Sequence, residues 1–183
     1  PVLCRPIEWG ADIVTHSTTK YMDGHGASVG GVIVDSGKFD WNAHADKFPG
    51  LTTPDESYHG VVYTERFGLE GAYITKATAQ LMRDLGSIQS PQNAFLINLG
   101  LESLHLRMAR HAANGLAVAE HLAAHPKVAW VRHPSLSGDA EAALAAKYLP
   151  EGSCGVVSFG VAGGRAAAET FMKHLKLGAI ETH

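Results

Sequence analysis

The chain has little cysteine, no excess of either charge and no long apolar run. Two cysteines, Cys4 and Cys154, in 183 residues cannot make a disulfide framework. Their scarcity fits a reducing, cytoplasmic setting. Lys and Arg number 15 against 18 Asp and Glu, for a net charge of -3. That excludes the basic face of a sequence-independent nucleic-acid binder. No stretch approaches the ~18 apolar residues of a membrane span, and the first residues lack the basic and apolar regions of a secretory signal. An initiator Met is missing too. The sequence opens at Pro1-Val2-Leu3-Cys4 and closes at Glu181-Thr182-His183 without capping chemistry. The expectation is an internal piece of a longer protein. What is there is ordinary globular material, 45% hydrophobic and 18% charged, enough for one domain or slightly more.

Hydrophobic rhythm divides the chain. The β-branched run within Gly10–His16 predicts a buried strand, and Val29–Val34 another apolar strand. Glycines inside the second strand predict close approach of another group to the backbone. Between them lies a polar, glycine-punctuated loop over 17–26. Residues 35–67 are irregular and rich in aromatics, which predicts either a substrate lid or subunit interface, or a satellite core beneath a long loop. Tyr58, His59 and Arg66 are its notable polar residues. Helical spacing starts near Leu69 and stops at Gly86. Ser90-Pro91 opens a short helix through Asn93–Leu99, and 101–124 reads as a long amphipathic helix. Beyond Pro126 a β-α-β-α rhythm follows, with strands over 128–131 and 156–161 and helices over 140–148 and 166–177. The prediction is an α/β chain with 1–124 in a larger domain and 125–183 beginning a smaller one.

Chemistry concentrates in His16-Ser17-Thr18-Thr19-Lys20. A lysine just past a buried strand loses hydration, which lowers its pKa and frees the neutral amine. Such an amine attacks carbonyls and forms Schiff bases. Neighbouring hydroxyls and glycine amides suit a phosphate. Together these are the minimum equipment for pyridoxal phosphate. From spacing alone, a solvated loop lysine is the commoner outcome, because short strings recur by chance.

The wider pattern is specific. Ala11-Asp12-Ile13-Val14-Thr15-His16-Ser17-Thr18-Thr19-Lys20-Tyr21-Met22-Asp23-Gly24-His25-Gly26 closely resembles the lysine segment of the Cys/Met-metabolism pyridoxal-phosphate enzymes. Gly30-Gly31-Val32-Ile33-Val34-Asp35-Ser36-Gly37-Lys38-Phe39-Asp40-Trp41 and Tyr58-His59-Gly60 resemble its O-acetylhomoserine sulfhydrylase branch. Ser90–Leu96, Gly100–Leu104 and Arg107–Asn114 are similar to the same family, so the resemblance runs over nearly the whole chain. It implies a fold-type I architecture, here the C-terminal part of the large domain plus the start of the small one. It implies Lys20 as the Schiff-base lysine and proton shuttle, and Ser17 and Thr19 as phosphate ligands. It implies a homotetramer built from dimers that share active sites. The implied reaction is γ-replacement, joining O-acetylhomoserine with sulfide or methanethiol to give homocysteine or methionine and acetate. Cystathionine synthases and lyases and methionine γ-lyase are the near alternatives. The family's partner for the pyridine nitrogen and its substrate-carboxylate arginine match no residue between Pro1 and His183. The piece by itself is therefore expected to be inactive.

Rival motifs are weaker. Gly26-Ala27-Ser28-Val29-Gly30 satisfies the G-x-S-x-G string of a serine hydrolase, but a loop precedes Ser28 and a strand follows, the reverse of a nucleophile elbow. Gly24, Gly26 and Gly30 do not make a dinucleotide fingerprint. Among 11 histidines only His121 and His125 have i,i+4 helical spacing, without the intervening Glu of a zinc helix, so no metal is expected. Arg107 and Arg110 read as surface ion-pair residues on the long helix. A non-catalytic relative of the family is the remaining alternative.

Overall fold

β-Branched residues begin the first ordered pairing. Ile13, Val14 and Thr15 favour extended backbone, and β1 (Ile13–Ser17) pairs antiparallel with β2 (Gly31–Asp35), Ile13 opposite Asp35 and Ser17 opposite Gly31. The structure, a computed structural model, describes residues 2–181. Pro1, Thr182 and His183, end residues on which the expectation of an internal piece rests, lie outside the described residues.

The elements then run α1 (Pro49–Thr52), α2 (Tyr63–Lys76), a π-helical turn (Ala77–Met82), α3 (Arg83–Leu85), α4 (Pro91–Glu102), α5 (Leu104–Ala123), β3 (Val128–Arg132), α6 (Ala142–Tyr148), β4 (Ser158–Val161) and α7 (Gly164–Lys173). They group into two compact units, one of Arg5–Leu104 and one built from His105 onward with the first residues of the chain. The mixed α/β content is as expected. Local signals hold where local chemistry decides. Ser90 caps α4 by accepting from the Asn93 N–H at 3.1 Å, with Pro91 in the first turn. Gly86 ends α3 in the left-handed conformation. α2 starts before Leu69, but Gly68 breaks its backbone at φ 71°, which is why helical spacing in the sequence begins only after it.

Two expectations change. The long helix expected over 101–124 is α5, starting three residues later because α4 runs on past Leu99 to Glu102. The first strand, expected to be buried, is half-exposed, and the apolar β2 is open, with Val32, Ile33 and Val34 39–43% exposed. An apolar strand is buried only when both faces of its sheet are covered. Here the sheet has two strands and packs on α2.

The core of the first unit is the aromatic segment itself. Trp41, Leu51, Tyr63 and Ala72 are buried, ringed by Phe39, Phe48, Tyr58 and Tyr73. Trp41 stacks on Tyr73 at 5.6 Å and meets Phe48 edge-on at 5.1 Å, the offset and edge arrangements that aromatic quadrupoles favour. Of the two readings of residues 35–67, the packing within this unit is that of the satellite core. Asp55 and Lys76 pin it with an ion pair at 2.7 Å, their side chains only 10% and 19% exposed. In the second unit α5 buries Met108, Ala112 and Ala119 at spacings of one and two turns. Gly115 admits the Cys154 carbonyl against its Cα. Buried His133 accepts the Ser135 N–H at Nδ1 (3.3 Å) and meets the Cys154 carbonyl through Nε2 (3.1 Å), so Nε2 carries the proton.

Candidate active site

Ser17 is the last residue of β1, and the chain leaves the strand through a tight turn. The Thr18 N–H donates to the Gly30 carbonyl at 3.0 Å, extending the ladder by one rung. Thr19 is buried and clasps the same residue, its hydroxyl donating to Gly30 O (3.2 Å) and accepting from Gly30 N–H (3.0 Å). Lys20 N–H donates to Ser17 O at 3.4 Å, and Lys20 O accepts from Gly24 N–H at 2.9 Å. Gly24 and Gly26 take φ of 70° and 63° to bring the chain round towards β2. Lys20 therefore projects from a turn whose main chain is closed on both sides.

The three predicted site residues come together as a strand end and its turn, with different exposures. Ser17 and Lys20 are exposed, and Thr19 is buried. The apolar surrounding expected for Lys20 is absent, because its strand is only half-buried. The close approach expected at the second strand's glycines is found at Gly30. A Cβ there would sit 2.7 Å from Thr18 Oγ1 and overlap the Gln89 side chain, which reaches across to donate to Val29 O at 3.4 Å. Gln89 and Thr18 were not picked out from the sequence. Nothing local marks a glutamine 60 residues away as a neighbour. The Thr18 hydroxyl is buried without a hydrogen-bond partner, an uncommon cost.

Ser28 does not form a hydrolase site. It is buried, donates to Asp23 Oδ1 at 3.4 Å, and is followed by β2 rather than a helix. Burial pushes the His16 imidazole below its ordinary value, and its Nε2 is buried and unpartnered. His121 and His125 lie exposed near the end of α5, ring centres 6.1 Å apart. Among the described residues no group of three His, Cys, Asp or Glu could hold a metal ion. Likewise no described helix is long and apolar enough to cross a membrane. Cys4 and Cys154 are free thiols. His59 is exposed at φ 60°, the one described non-glycine residue in that region, and Arg66 is exposed on α2. A groove of about 1520 Å³ opens between the hairpin and α2, lined by Thr15, Val29, Phe39 and Leu81 among others. Ser17, Thr19 and Lys20 do not line it. Its apolar walls offer packing surface, whereas the candidate site residues sit at the strand end.

The turn fits a phosphate-bearing aldehyde. A phosphate oxygen needs donors, and the Ser17 hydroxyl stands exposed beside Lys20. Thr19 would release Gly30 O to donate to a phosphate while still accepting from Gly30 N–H. Gly30 O then keeps the Thr18 N–H, so no buried acceptor is orphaned.

The family model for Cys/Met metabolism PLP-dependent enzymes matches residues 1–182. A homocysteine synthase of Schizosaccharomyces pombe is 49% identical over 175 residues, 96% of this chain and 41% of the relative. An O-acetyl-L-homoserine sulfhydrylase of Leptospira meyeri is 46% identical, covering 97% of this chain and 41% of the relative. A crystal structure given for an O-acetylhomoserine (thiol)-lyase of Campylobacter jejuni superposes with a TM-score of 0.87 at 31% identity, over 98% of this chain and 44% of that one. That protein carries a pyridoxyl-lysine monophosphate. A cystathionine gamma synthase of Xanthomonas oryzae gives 0.72 at 31% identity, over 100% of this chain and 38% of that one. The chain thus spans about 41% of the length of these curated relatives. By its sequence over residues 1–182 and by its fold, the chain belongs to the Cys/Met metabolism PLP-dependent enzyme family.

Proposed function

We propose that this chain forms part of an enzyme that joins an O-acetylated homoserine to sulfide or methanethiol, releasing acetate. The observation that carries the reading is the Ser17-Thr18-Thr19-Lys20 turn, held at the end of β1 by Gly30. Relatives named homocysteine synthase and O-acetyl-L-homoserine sulfhydrylase at 46–49% identity support the reaction class. Pyridoxal phosphate, when bound, supplies an aldehyde for amines and an electron sink for charge at the substrate α-carbon. Lys20 Nζ is the amine that would hold the aldehyde and, once released, take a proton and return it. Ser17 and Thr19 hydroxyls would donate to the phosphate, with Gly30 N–H bracing Thr19. A cytoplasmic homotetramer goes with this reading. So does a family chain divided near residue 124, although packing within this chain groups α5 with the C-terminal unit. Cystathionine γ-synthesis is the second reading, favoured by the Xanthomonas oryzae superposition. The test is borohydride reduction of the holoenzyme followed by peptide mapping. The expected result is a pyridoxyl-phosphate group on Lys20, and turnover lost by about 1000-fold or more in Lys20→Ala. A full-length enzyme supplied with cofactor and bearing no such group would overturn the proposal.

A further inference from the structure

Asp23 is fully buried, and the function proposed above makes no use of it. Burying a carboxylate is costly unless its charge is met by donors. Here Oδ2 accepts the N–H groups of Ala27 (2.8 Å) and His25 (3.3 Å), and Oδ1 accepts the Ser28 hydroxyl (3.4 Å). These donors, Ala27 first, hold the Asp23 carboxyl below its ordinary range. The main chain of Asp23 is equally engaged. Its N–H donates to Thr18 O at 2.9 Å, and its carbonyl accepts the His25 Nδ1 proton at 2.7 Å. The next residue, Gly24, donates to Lys20 O at 2.9 Å. On the other side, the Met22 and Asp23 carbonyls press on Gly100 of α4 so closely that a Cβ would not fit. One residue thus joins the lysine turn, the 24–28 loop and α4.

We infer that Asp23 is the positioning residue of the lysine turn, its carboxylate fastening the 24–28 loop so that Lys20 is held at a fixed reach. This rests on the proposed role of Lys20. Without the carboxylate, the Ala27, His25 and Ser28 donors lose their common acceptor, and the 24–28 loop keeps its main-chain bonds to the turn but loses this side-chain fastening. Misplacing a reacting group by about 1 Å costs about 100-fold in rate. An asparagine has the same shape. Its carbonyl can keep the two N–H donors while its amide donates to the Ser28 oxygen.

The experiment compares Asp23→Ala and Asp23→Asn with the unmodified holoenzyme. In Asp23→Ala, kcat is expected to fall about 100-fold at unchanged KM, with slower borohydride trapping at Lys20. Amide hydrogen exchange without cofactor should speed up over 18–28 and stay unchanged elsewhere. Asp23→Asn should restore kcat to within about threefold. If Asp23→Ala does not fold, Asp23→Ser, which still accepts one N–H, should show an intermediate loss of about 10-fold. The inference is overturned if these variants keep wild-type kcat, or if kcat falls only in step with the folded fraction. An unmodified enzyme with no pyridoxyl group on Lys20 overturns the proposed function itself, and this inference with it.

Discussion

Gly100→Ala tests whether α4 and the lysine turn form one packed unit. Helix propensity alone predicts that alanine in a helix interior stabilises by about 0.8–1.0 kcal/mol over glycine. The structure predicts the opposite sign. A Cβ at Gly100 would overlap the carbonyl oxygens of Met22 and Asp23 and lie 2.8 Å from the Asp23 carbonyl carbon. Carbon atoms pack at about 3.5–4.0 Å, so turn and helix must part by about 0.7 Å or more. The obstructing atoms are backbone, tied to Thr18 and His25, and cannot rotate aside. Overpacking of this kind costs about 1–3 kcal/mol, and a rigid neighbour favours the upper half. Subtracting the propensity gain leaves a net loss of about 1–2 kcal/mol. Urea denaturation of the holoenzyme should show a lower midpoint with an unchanged slope. Trapping at Lys20 should slow as well, because the parted turn carries it. A Gly100→Ala protein more stable than wild type would refute the packing argument.

Other consequences are accessible to simple measurements. Lys76 and Ser57 hold the Asp55 carboxyl down to about 2 from its ordinary 3.8. A depressed carboxyl contributes stability above its unfolded value and loses it as pH falls, here between about 4 and 2. Acid titration should therefore find Asp55→Asn less stable at neutral pH but flatter across that window, and an unchanged acid profile would contradict it. His133→Leu leaves the Cys154 carbonyl and the Ser135 N–H without their ring partner, and thermal unfolding should report a loss of about 2 kcal/mol or more. His59 holds φ 60°, where glycine is at ease. His59→Gly should raise stability by about 0.5–1 kcal/mol by chemical denaturation, and a clear loss would mean that the ring makes an essential contact.

Much of this protein was open to reading one residue at a time. The Ser90 cap, the Gly86 stop, the β-branched start of β1 and the alternation of strands and helices after Pro126 depend on neighbours within a few positions. The Ser17-Thr18-Thr19-Lys20 spacing belongs to the same class, since strand end and turn are continuous chain. Even the glycines of the second strand announced a close neighbour, although not which one. Sequence by itself therefore determined the element types and the family, and singled out Lys20 as the candidate lysine. Tertiary structure alone decided the rest, because the deciding contacts join residues far apart. Gln89 crosses to Gly30, Lys76 finds Asp55, and Gly100 admits the Met22 and Asp23 carbonyls. Exposure of β2 and Lys20 follows the same rule, since burial is a property of what packs on a residue rather than of the residue. Asp23 shows the difference most directly. In the string it is one acidic residue of a polar loop, and in the fold its carboxylate is the common acceptor on which that loop closes.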